Sequence, residues 1–484
     1  MYQKVSKFFP GAPLFVCAVL LAQGCASPPP SEPPPAQPEA MPAPATERFI
    51  DRLAALLGAG DIDGALALFD TLNEEEAALR QNRRLLASVL LSAGKLDEAR
   101  KAALALVAED ASDVESRFVL SKIEGAAGVT KEQRRLLEGI VDEDAGHVPA
   151  LNDLGLLSIN KRSLREAAAF FDRALEADPE SLDALHGRAN VFRLERRADE
   201  AEPLYDKVVS LYPGRAESYS ARGRFYRENG RMKEALADLD AAKALDGGSY
   251  WTAYDRGRVL LEIGRKREAL QEFDAAIERG PGVFIAYVYS AGIRDELGDV
   301  DGAERDYAAL AALRPDYYFA FEGLGIQKMK KGLYGEAALA FETAYRTAPA
   351  ENSYAMLATI NRLKGGEKPH EVRPFVEKAM RKIGRDRLDY YVMRLFYDFS
   401  GEADVTRRID SEKNERVKAQ MLFYLASYYD ISGLNQLADK FFVEFRDMRR
   451  LDLVEWRLNE WILGQRGIHL GGGGTKDAAG TKKG

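Results

Sequence analysis

Small, large and turn-forming residues recur along the chain at a fixed interval of 34 residues, and that interval predicts its elements. Six units align from Val148 without an insertion or deletion. Counting Val148 as position 1, position 8 is Gly155, Ala189, Gly223, Gly257, Ala291 and Gly325, and position 20 is Ala167, Ala201, Ala235, Ala269, Ala303 and Ala337. Position 24 is large: Phe171, Tyr205, Leu239, Phe273, Tyr307 and Phe341. Position 32 is Pro179, Pro213, Gly247, Pro281, Pro315 and Pro349, a helix stop before each new unit. Each unit therefore reads as two helices and a turn. A small residue at position 8 lets the two helices of a hairpin approach closely, and the large one at position 24 fills the space between hairpins. One hairpin cannot cover its own apolar face, so stacked neighbours supply the core.

The frame extends backwards in phase through weaker units from Thr46, Arg80 and Val114, with Ala65 and Ala99 at position 20. Forwards, Asn352 opens a degenerate unit and the frame then slips. A unit from about Arg387 keeps Tyr397 and Gly401, and one from Ala419 keeps Leu425, Ala426, Tyr429, Gly433, Ala438 and Phe442. With Gly230, Gly264, Gly298 and Gly332 at position 15 and the pairs Arg222-Gly223 and Arg256-Gly257 at positions 7 and 8, these residues resemble the tetratricopeptide repeat. The resemblance covers about 400 of 484 residues and implies an all-α fold, a right-handed α-solenoid of stacked helix-turn-helix repeats. The expected organisation is weak repeats over 46–147, six clear repeats over 148–351, degenerate repeats over 352–450, a capping helix over 451–466 and a disordered tail over 467–484. The capping helix carries Leu453, Trp456, Leu458 and Trp461.

Ahead of the repeats, Lys4 and Lys7 precede an apolar stretch from Phe8 to Ala22 that is too short to span a bilayer and runs into Leu21-Ala22-Gln23-Gly24-Cys25. Those five residues resemble a bacterial lipobox, although Ala22 stands where Leu is commoner. The resemblance implies that 1–24 is a signal peptide and that Cys25 carries acyl chains, with a plain secretory signal as the alternative. Two or three such chains hold a protein stably on one leaflet, at about 0.8 kcal/mol per buried methylene. Ala26 after the cysteine, by Gram-negative sorting rules, points to the outer membrane. Nine prolines between Pro28 and Pro44 make 25–45 an extended spacer, at about 3.1 Å per residue.

Composition narrows the function. A formal net charge of −8 argues against nucleic acid as a partner. Cys17 and Cys25 are the only cysteines, so the repeats hold no disulfide. His147, His186, His370 and His469 are scattered without metal-ligand spacing, which predicts no metal and no cofactor. Nucleophile-elbow, phosphate-loop and H-E-x-x-H motifs are all missing from the sequence, and Asp172, Asp206, Asp240 and Asp274 all sit at position 25, obeying the period where a catalytic pair would break it. The expectation is a protein-binding scaffold, not an enzyme.

On the first helix of each unit, positions 4, 7, 8 and 11 share one arc and face neighbouring hairpins, while positions 2, 5, 9, 12 and 13 share the opposite one. The resemblance implies that this second arc lines a groove for peptides and partner helices. It supplies Asp183, His186, Asn190 and Arg193, then Ile285, Val288, Asp295 and Glu296, then Phe319, Glu322, Ile326, Met329 and Lys330. Its middle mixes aromatic and Arg side chains, the types in which interfaces concentrate binding energy. The candidate contacts are Arg224, Arg227, Glu228, Trp251, Tyr254, Arg258 and Glu262. The expected partners are other proteins or peptides in the cell envelope. A surface-exposed adhesin for host molecules and a carrier of an apolar ligand are the competing readings.

Overall fold

In the computed structural model, which describes residues 45–246 and 249–468, the first helix of every central unit begins at position 1. These helices are Val148–Asn160, Leu182–Leu194, Ala216–Glu228, Tyr250–Glu262, Phe284–Leu297 and Tyr318–Lys330. Their partners all begin at position 17: Leu164–Ala177, Ala198–Leu211, Met232–Asp246, Lys266–Arg279, Val300–Leu313 and Tyr334–Thr347. Where position 32 is proline, the second helix has ended two residues earlier, since proline lacks the N–H that would extend the helix and disfavours helical geometry in the residue before it. The described residues form 26 helices and no strand. Cys25, the segment 1–24, the proline-rich stretch and residues 469–484 lie outside them.

The turn inside each hairpin has one cause throughout. Position 15 is left-handed in Gly60, Gly94, Gly128, Gly230, Gly264, Gly298, Gly332 and Gly366, with φ between 72° and 97°. Its N–H donates to the carbonyl of position 12 and the next N–H to that of position 11, as in Gly230 to Arg227 (3.1 Å) and Arg231 to Tyr226 (2.9 Å). Arg162 and Arg196 hold the same place with φ 61°, in a region that costs a residue with a Cβ roughly 1–2 kcal/mol.

The chain divides into two compact units after Asp246. In the first, helices pair from Ala45–Gly58 and Ile62–Phe69 onward, with an unexpected short helix, Glu74–Ala78, whose cap Asn73 accepts from the Glu76 N–H at 2.8 Å. Its core includes Leu137, Ile140, Leu151 and Leu154. In the second, the six-unit frame carries on to Asn352–Lys364 and then loosens through Pro369–Met380, Leu388–Asp398 and Glu402–Ser411. The unit expected from Ala419 begins a turn sooner, at Glu415–Ile431, because the Asn414 side chain accepts from the N–H groups of Arg416 and Val417. Asn435–Asp447 completes that hairpin, and Val454–Gln465 packs against it over a core holding Phe396, Phe423, Phe442 and Phe445.

Position 24 shows why the repeat needs small residues in two places. A Cβ on Gly155 would lie 2.6 Å from the Phe171 ring, and one on Gly325 would lie 2.7 Å from the Phe341 ring. The same ring of Phe171 also presses on Gly187, position 6 of the following repeat, where a Cβ would come within 2.2 Å. Gly323 meets Tyr307 in the same way at 2.5 Å, whereas Tyr289 at that position stacks on Phe273 with centroids 5.0 Å apart. The large residue is thus a wedge between position 8 of its own hairpin and position 6 of the next.

Candidate partner-binding surfaces

Within each unit, the position-25 aspartates Asp172, Asp206 and Asp274 are links between repeats. Arg188, at position 7, donates to Asp172 of the preceding repeat at 2.6 Å, and Arg222 donates to Asp206 at 2.8 Å. Arg222 also grips Asp238 of its own hairpin through two bonds, at 2.8 and 2.9 Å. In the second unit Arg256 donates to Glu272 at 2.6 Å, and Ser290 and Arg294 together hold Asp274 and Asp306. These side chains are committed to the stack and leave the opposite arc as the surface on offer.

In the first unit that arc is a polar strip. Lys122 donates to Asp153 at 3.0 Å, and burial pushes the Asp153 carboxyl above its usual range. His186 is pulled down to about 4, first by burial and then by the charge of Arg224. Its Nε2 and the Oδ1 of Asn152, at the equivalent position one repeat earlier, are both enclosed and without a hydrogen-bond partner among the described residues. Of the expected contacts, Arg224 is partly exposed and Glu228 exposed, but Arg227 is buried. Glu228 accepts from Arg193 at 2.6 Å, and Arg193 is braced by Asn190 at 2.7 Å.

In the second unit, Trp251 is partly exposed and lies edge-on to Tyr254 with centroids 5.8 Å apart. Tyr254 is buried, so its ring offers a partner little area. Arg258 stands over the rings of Tyr254 and Tyr289, 5.9 Å from each, and reaches Glu262 at 3.6 Å. The seven expected contacts fall three in the first unit and four in the second, on the helix face where the period placed them.

Further along the second unit the arc is already occupied. Arg457, from Val454–Gln465, donates to Asp295 at 2.6 Å and to Glu322 at 2.6 Å. Asp295 and Glu322 are groove positions in the sequence pattern. Arg457 lies beyond the repeats, so the period carries no signal for it. Among the described residues no group of His, Cys, Asp and Glu is placed to hold a metal ion, and no helix is long and apolar enough to cross a membrane.

Residues 152–216, 186–250 and 254–318 match the tetratricopeptide repeat family. These are tetratricopeptide repeats. A tetratricopeptide repeat protein from Parabacteroides merdae has a solved structure 21% identical, covering 50% of this chain and 96% of its own, with a TM-score of 0.41. YrrB, described as a TPR protein with an unusual peptide-binding site, is 23% identical over 39% of this chain and 95% of its own, with a TM-score of 0.33. Pseudomonas aeruginosa pilF is 22% identical over 43% and 94%, with a TM-score of 0.38. No curated protein matches the chain. An array of tetratricopeptide repeats is a scaffold for protein interaction, because each repeat adds a helix face to a surface longer than a single hairpin could hold.

Proposed function

We propose that this chain is a lipid-anchored, non-enzymatic adaptor of the bacterial cell envelope that binds partner proteins along the arc of its first helices. The observation that carries the reading is one sequence holding Leu21-Ala22-Gln23-Gly24-Cys25, a proline-rich spacer and then tetratricopeptide repeats. The acyl chains on Cys25 fix the protein to a leaflet, outer-membrane by the residue that follows. The spacer gives reach, and the arc gives specificity. Arg193, Arg224 and Glu228 in the first unit and Trp251, Arg258 and Glu262 in the second supply the exposed charge and aromatic area.

Metabolic labelling with an alkyne fatty acid tests the anchor. The wild-type chain takes up label and sediments with membranes, and Cys25→Ser loses the label and becomes soluble. A Cys25→Ser chain that keeps its label, or a wild-type chain that never acquires any, removes the anchor. Protease treatment of intact cells tests the side. Survival of the chain together with a periplasmic control fits the adaptor, and loss of the chain alone favours the adhesin.

A further inference from the structure

Asp295 and Glu322 stand on successive repeats of the second unit, at positions 12 and 5 of the arc, and their side chains are only 5% and 8% exposed. Every oxygen has a defined donor. One oxygen of Asp295 accepts from Lys330 (2.7 Å) and Gln327 (2.9 Å), and one of Glu322 accepts from the Tyr354 hydroxyl (2.6 Å). The remaining oxygen of each takes one arm of the Arg457 guanidinium. Two carboxylates, one ammonium and one guanidinium balance to zero. Without the guanidinium, two buried oxygens lose their donors and a net negative charge stays enclosed, which is among the costliest states a protein interior can hold.

The geometry selects arginine. The free oxygens belong to different repeats, and only a planar fork with two separated N–H arms serves both, whereas an ammonium meets them as a point charge. The side chain that fills the site enters from outside the period: Arg457 is 162 residues from Asp295 and 135 from Glu322. Its own side chain is 32% exposed, more than either carboxylate it joins. Arg457 lies on Val454–Gln465, the last helix among the described residues, and that helix leaves Trp456 and Trp461 only half-buried.

We propose that Asp295 and Glu322 form an arginine-recognition site for a partner's helical segment, held closed in the resting chain by Arg457 of the C-terminal helix. The contact is autoinhibitory: a partner arginine gains the site by displacing the helix. This rests on the arc being where partners bind, but it names no envelope component, so its failure leaves the adaptor reading standing.

The test uses the full chain and a fluorescent peptide of residues 450–468 as the probe. Arg457→Ala in the chain vacates the site, and it is expected to raise peptide affinity at least tenfold over wild type and to speed amide exchange across 454–465. The peptide carrying the same Arg457→Ala change is expected to bind neither chain. Equal binding of the two peptides to the Arg457→Ala chain overturns the proposal, because attraction would then come from the apolar face of the helix. Absence of binding to that chain overturns it as well. Arg457→Lys covers the case in which Arg457→Ala does not fold. Lysine keeps the charge and loses the fork, so peptide affinity is expected between wild type and Arg457→Ala, and a Lys chain as closed to the peptide as wild type refutes recognition of the fork.

Discussion

At the residue scale, the hairpin turn and the wedge make opposite demands on the backbone and the side chain. Arg162 and Arg196 occupy a left-handed turn position that glycine fills in the other hairpins on the 34-residue frame. Changing either to Gly is expected to stabilise the fold by about 1 kcal/mol, read as a higher urea midpoint at unchanged slope, since strain removed outweighs the flexibility that glycine adds to the unfolded chain. At position 8 the argument runs the other way. Gly155→Val drives two methyl groups into the Phe171 ring and should cost about 1–3 kcal/mol by the same measurement; a midpoint equal to wild type would mean that the ring has room the packing does not show. His186 adds a pH dependence. Its pKa in the folded chain is about 4, below the roughly 6.5 of an unfolded histidine, so its neutral form is favoured by folding. Stability from this group is complete above about pH 6.5 and is lost as pH falls towards 4, to a limit of about 3 kcal/mol. His186→Gln should flatten that part of the pH–stability curve, and identical curves for the two chains would remove His186 as its source.

At the element scale, adjacent hairpins are joined by apolar wedges and by charges that cross from one repeat to the next. The regular aspartate at position 25 was visible in the sequence as part of the period, but its use was not. Spacing cannot show that position 7 of the next repeat reaches it, because the two side chains meet only after the hairpins stack. Arg222 serves two carboxylates, and Asp238 is almost enclosed at 10% exposure. Arg222→Ala should therefore lower stability by about 2–3 kcal/mol, measured by urea unfolding, because it strands Asp238 away from solvent. Replacing Arg222 and Asp238 together by Met and Leu should recover most of that loss, and a double variant as unstable as Arg222→Ala would assign the effect to packing.

At the scale of the whole molecule, the period makes a prediction about length. Deleting residues 148–181 removes one complete repeat and places His147, which now caps Val148–Asn160, ahead of Leu182 in the same register. That chain is expected to keep its helical signal per residue and a cooperative melt at a somewhat lower temperature, since each repeat contributes its own interface. Deleting 148–164 leaves a helix without its partner and should abolish cooperative melting. Equal behaviour of the two deletions would contradict a fold built from 34-residue modules.

The sequence alone determined the unit boundaries and the small-large pairing of the six central units and the position-15 glycines of the last four, because each is a local or next-neighbour requirement repeated often enough to read. It also marked the arc that holds Arg224, Trp251, Arg258, Asp295 and Glu322, since helical spacing fixes which side chains share a face. Tertiary structure decided the rest. Arg227 and Tyr254 lie on that arc but are buried, because adjoining helices cover part of the face that spacing alone presents as open. The extra turn at Glu415 came from one asparagine cap outside the period. The closure of Asp295 and Glu322 by Arg457 joins residues 162 and 135 positions apart, a distance over which neither periodicity nor propensity carries information and only the folded path of the chain does.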